Sequence, residues 1–133
     1  MSVGVWEPGG GAAKSIDLDL LESIAAAAGD GLEQVSSALL ADLRLETSQW
    51  LMRCGPGDWA VAEQLDSRRL VALVRFFTLV ERDVSGWEAG SKSPVIAFVN
   101  MLKARGEFTP ELRKWIKGHS DNRYLPYGSV SQM

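Results

Sequence analysis

The sequence predicts an all-α fold, a compact bundle of five to six helices around a central apolar helix at about residues 68–82. Three observations carry that expectation. Apolar residues recur at three- and four-residue spacings through most of the chain, the period of a helix with one buried face. Helix start and stop residues punctuate those runs. No stretch alternates apolar and polar residues over a strand length, and no Asn-Gly or Asp-Gly joins two β-rich runs. A chain of 133 residues is long enough for one substantial core and short for two.

The elements follow in order. Residues 1–14 read as a flexible Gly-rich arm. Residues 15–118 hold the helical domain, and residues 119–133 an extended C-terminal strap. "KSIDLDLLESIAAAAGDG" offers Ser15 or Asp17 as N-cap, acids in the first turn and Gly29 as the stop. Next, Asp30 with Glu33 three residues on has the spacing of a capping box. A stripe of Leu32, Val35, Leu39, Leu43, Glu46 and Trp50 then predicts one long helix, closed by Gly55-Pro56-Gly57. At about 22 residues it spans roughly 33 Å. Asp58 caps a short piece, "WAVAEQL".

Asp66 or Ser67 restarts a helix through "RRLVALVRFFTLVERD", which is apolar nearly all round and so belongs at the centre. Ser93 and Pro94 open the next helix, and Gly106 closes it. Thr109 and Pro110 repeat that opening for a last helix, which Gly118 ends.

Several kinds of chemistry are disfavoured. One Cys and one His cannot close a four-ligand zinc site, and one Cys forms no internal disulfide. "GGGAAKS" resembles a phosphate loop only superficially, because Ala13 and Pro8 stand where that motif needs glycines and no strand precedes it. Cys54 lies at the expected C-terminal end of a helix, where partial negative charge disfavours a thiolate. His119 has no evident nucleophile beside it, and no pair of carboxylates stands out as acid and base. No catalytic residue, metal or cofactor is expected. The first residues lack a basic stretch followed by an apolar run, and the longest apolar stretch is too short to cross a bilayer. With a lone Cys, the expectation is a reducing cytoplasm.

Charge is divided unevenly. Residues 1–67 hold three basic side chains against eleven acids, a net of −8. Residues 68–133 hold eleven against six, a net of +5, which returns the −3 of the whole chain. Either the halves pack together and neutralise each other, the favoured reading, or a basic surface meets an acidic partner. Arg68, Arg75 and Arg82, seven apart, stripe the central helix. Glu33, Asp42 and Glu46 are their natural partners.

The last helix turns Leu112, Trp115 and Ile116 inward and Arg113, Lys114 and Lys117 outward. After it come Arg123, Tyr124, Leu125 and Tyr127, apolar enough to lie on this bundle or on another protein. Trp6 in the arm has the same two destinations, its own bundle being favoured. These features favour a small helical protein–protein interaction module, an adaptor or regulatory subunit without catalysis of its own. Its expected partner surface is Arg113, Lys114, Lys117, Arg123, Tyr124, Tyr127 and Trp6, and its partner another protein or a second copy. The alternative is a nucleic-acid-binding regulator, because residues 94–117 have a helix–turn–helix layout. A sequence pI near 5.1 and the lack of Asn or Gln on the last helix weigh against it.

Overall fold

A computed structural model of the chain describes residues 16–29, 31–46, 48–122 and 124–126. The arm, with Trp6, therefore lies outside the described residues, as do Arg123 and Tyr127. Among the described residues the structure is all helical, with no strand. The α-helices are α1 (Leu18–Ala28), α2 (Ser37–Asp42), α3 (Ser67–Asp83), α4 (Pro94–Ala104) and α5 (Pro110–His119). Three 3₁₀ segments, Gln49–Arg53, Pro56–Gln64 and Gly90–Lys92, join them.

Helix starts follow the capping residues. The Asp17 side chain accepts the Leu20 N–H at 2.8 Å, and Asp66 accepts the Arg69 N–H at 2.9 Å. Ser93 accepts from Val95 at 3.2 Å, and Thr109 from Leu112 at 3.1 Å. Each satisfies a donor that the first turn of a helix leaves unpaired. Pro94 and Pro110 stand where a missing N–H costs nothing.

The central helix is α3, which packs against α1, α4 and α5. Its Leu70, Leu73, Val74, Phe76, Phe77, Leu79 and Val80 are fully buried. Phe77 anchors an aromatic cluster. Trp59 meets it edge-on with ring centroids 5.4 Å apart, Phe76 does so at 5.1 Å, and Phe98 lies at 5.9 Å. Thus the Pro56–Gln64 segment, α3 and α4 share one core.

The expected long helix over residues 31–53 is broken. Residues 32–36 carry no regular secondary structure, and the Val35 N–H leaves the local chain to bond Asp83 Oδ2 at 2.8 Å. Ser36 is the actual N-cap; its hydroxyl accepts from the Leu39 N–H. The helix then stops after six residues, because Arg44 turns left-handed at φ 59°. The Leu45 N–H reaches back to the Leu40 carbonyl at 2.8 Å and the Arg44 N–H to the Ala41 carbonyl at 3.0 Å. That is a Schellman ending, closed by burial of Leu40 and Leu45 together. Asp58 sits inside its 3₁₀ segment, not ahead of it, and its carboxylate accepts the Gly55 N–H at 2.9 Å. Gly118 does not end α5, which continues to His119.

Candidate functional site

The last helix and the strap after it form the candidate surface. On α5, Leu112 and Ile116 are buried, while Arg113, Lys114 and Lys117 are exposed. At about 100° per residue the three cations span roughly 100° of the helix surface, opposite the buried pair. None of the three is in an ion pair with a described residue. The inner side is fixed by more than apolar packing. The Arg75 guanidinium lies 5.5 Å from the centre of the half-buried Trp115 ring. His119 stacks on Trp115 at 4.2 Å, and its Nδ1 lies 2.8 Å from the Trp115 carbonyl. Its Nε2 is 3.8 Å from Glu33.

The strap lies on its own bundle as far as Pro126. Leu125 and Pro126 are buried, and Tyr124 is half-buried. Asn122 is the fastening. Its Nδ2 donates to Glu81 Oε1 at 3.1 Å and to the Gly90 carbonyl at 2.9 Å. Its Oδ1 accepts the Tyr124 N–H at 2.9 Å, closing an Asx turn. Arg82 adds bonds to the His119 carbonyl at 3.3 Å and the Glu33 carbonyl at 3.2 Å. In the arginine stripe on α3, Arg82 pairs with its neighbour Asp83 at 2.7 Å, which holds that carboxyl below its usual range. Toward Glu33 it uses the carbonyl, and Arg75 turns to Trp115.

Glu81 is the residue that sequence reasoning missed. It is 7% exposed, on the helix judged apolar nearly all round. Ser93 Oγ donates to its Oε2 in a short hydrogen bond, and the Ala89 N–H donates to Oε1 at 3.2 Å. With Asn122 this carboxyl joins α3, the loop before α4, and the strap. Burial pushes its pKa up, the three hydrogen bonds pull it down, and Glu88 pushes it up again. The one available signal was an acid flanked by Val80 and a run of apolar side chains.

The titratable groups are thus used for fastening. Burial pushes the Cys54 thiol up and Asp58 adds to the shift, so it stays a thiol, donating to the Trp50 carbonyl at 3.6 Å. Among the described residues no group of three or more His, Cys, Asp and Glu side chains is placed to hold a metal ion. No helix among them is long and apolar enough to cross a membrane. Compared with protein-family models, curated proteins and solved structures, the chain matches none.

Proposed function

We propose that this chain is a small cytoplasmic helical interaction module, an adaptor or regulatory subunit that recognises an acidic partner protein through the outer face of α5. The observation that carries the reading is the pairing of Arg113, Lys114 and Lys117, exposed and without ion pairs among the described residues, with a rigidly seated inner face. A backbone already fixed has little ordering left to lose on binding, and complementary charge speeds encounter and sets specificity. Arg123, Tyr124, Tyr127 and Trp6 extend the proposed surface, with Tyr124 at its edge beside the fastened part of the strap. The other partner of this kind is a second copy, whose acidic N-terminal half complements α5.

The test is capture of partners from a lysate by the wild-type chain and by Arg113→Glu/Lys114→Glu/Lys117→Glu, with and without nuclease. A protein held by the wild type after nuclease treatment and lost by the variant, at unchanged thermal stability, is the expected result. Retained nucleic acid, released by nuclease and raised salt, would instead favour the nucleic-acid reading. Its structural support is the exposed basic face on the second of two helices joined by the short turn at residues 105–109.

A further inference from the structure

Apart from Asn100 and Lys103, every residue of α4 is apolar, yet only one side of the helix is buried. Pro94, Val95, Phe98, Val99 and Leu102 face the core. At about 100° per residue, the opposite side presents Ile96, Asn100 and Ala104, one turn apart, with Ala97 beside them. Ile96 and Ala97 are half-buried, and Asn100 and Ala104 are exposed. A helix apolar nearly all round is one that is covered nearly all round, so this side lacks its cover. Two shallow cavities, of about 180 and 240 Å³, run along it between α4 and the Pro56–Gln64 segment. Ala97 and Asn100 line both, so the two form one groove. We infer that the cover is a second copy of the chain, in a two-fold dimer with α4 antiparallel to its counterpart and Asn100 on the axis.

The residue pattern singles out that occupant. A two-fold interface is self-complementary, because each residue meets the counterpart of the one that meets it. About Asn100, Ile96 lies opposite Ala104 of the second copy, and Ala104 opposite Ile96 of the second copy. Large faces small at both places, the arrangement that lets facing side chains interdigitate. Asn100 faces itself. Its amide both donates and accepts, so it pairs with an identical amide, whereas Lys or Glu would repel its own image.

The ends of the groove match as well. Lys92 lies at one end and Glu63 at the other. Both are exposed and in no ion pair with a described residue. Arg105 bonds the Glu63 carbonyl at 3.0 Å and so occupies its backbone. Antiparallel pairing brings each Lys92 toward Glu63 of the second copy, and the positive start of one α4 toward the negative end of the other. No residue of α5 lines the groove, so this face is separate from the surface proposed above.

The test is sedimentation of the full chain across a range of concentrations. The wild type should pass from monomer to dimer. Asn100→Glu and Asn100→Lys alter an exposed residue, and each alone should weaken the dimer about tenfold or more, with circular dichroism unchanged. Mixed in equal amounts, the two variants should pair with one another and recover most of that loss, because residue 100 faces itself only on a two-fold axis. Arg113→Glu/Lys114→Glu/Lys117→Glu should dimerise as the wild type does, so this inference and the α5 reading fail separately. A wild type that stays monomeric at about 1 mM would overturn the inference. So would a dimer indifferent to Asn100→Glu, a mixture that associates no better than its components, or a dimer lost in the α5 variant.

Discussion

Glu81 shows how one side chain can organise a bundle while looking out of place in its sequence. It accepts from Ser93, Ala89 and Asn122, so three segments distant along the chain meet at one carboxyl. Removing it leaves those donors unpaired in a buried site. Glu81→Ala should therefore cost about 2–4 kcal/mol in denaturant unfolding, and Glu81→Gln much less. The pH dependence has a definite sign. Burial holds the Glu81 pKa above its ordinary value of 4.5, with Glu88 adding to the push. The folded state thus holds this proton more tightly than the unfolded chain. Its contribution to stability is fully present below pH 4.5 and is lost as pH rises through the raised folded value. Asp83 acts in the opposite sense. Its pKa is lowered by the hydrogen bond from Arg82 and by the Val35 N–H, so its contribution is present above 3.8 and is lost as pH falls through the lowered value. Thermal melts across pH should show wild type losing stability on the alkaline side of 4.5 relative to Glu81→Gln, which has no proton to release there. Parallel curves for the two proteins would mean that Glu81 does not titrate differently on folding.

At the scale of elements, α2 and α4 end in the same way with different residues. After α4, Gly106 takes the left-handed position at φ 72°, and the Glu107 N–H reaches the Leu102 carbonyl at 2.8 Å. After α2, Arg44 takes that position at φ 59°. Glycine adopts this conformation without a Cβ penalty, whereas arginine does so at a cost of about 1–2 kcal/mol. Arg44→Gly should accordingly stabilise the protein by up to about 1 kcal/mol, measured as a shift in the denaturant midpoint. A loss of stability would mean that the Arg44 side chain contributes more than its backbone costs. This contrast also explains what was legible. The Asp66 start of α3, the Ser93-Pro94 and Thr109-Pro110 openings and the Gly106 stop use the residues that favour those geometries, and sequence places them within a residue or two. The stop at Arg44 uses a good helix former, so apolar periodicity ran straight through it. Ser36 was a start signal within that run, outweighed by the stripe around it. The α5 basic face was legible because its period is regular. Glu81 was not, because its partners lie eight, twelve and forty-one residues away. The core prediction is direct: Phe77→Ala, at the centre of the aromatic cluster and fully buried, should cost about 3–5 kcal/mol. A loss below about 1 kcal/mol would mean that the surroundings collapse around the gap.

For the whole molecule, the divided charge is only partly spent on folding. Arg82 joins the segment at residues 32–36, α3 and the end of α5 through Glu33, Asp83 and His119. Arg82→Ala should speed amide exchange at Val35, whose N–H rests on Asp83, and at Leu125 in the strap. Exchange in α4 should stay unchanged. Uniform acceleration would show that these contacts do not form a separate unit. Beyond Arg82, cations remain outward on α5, and a basic face on an acidic chain is where an acidic partner would be steered. The most direct measurement of that claim is nuclease-treated capture with the wild type beside the Arg113→Glu/Lys114→Glu/Lys117→Glu chain. The account predicts a protein partner that the wild type retains and the equally stable variant loses. Retention of the same partner by both chains would contradict it and move the interface off α5.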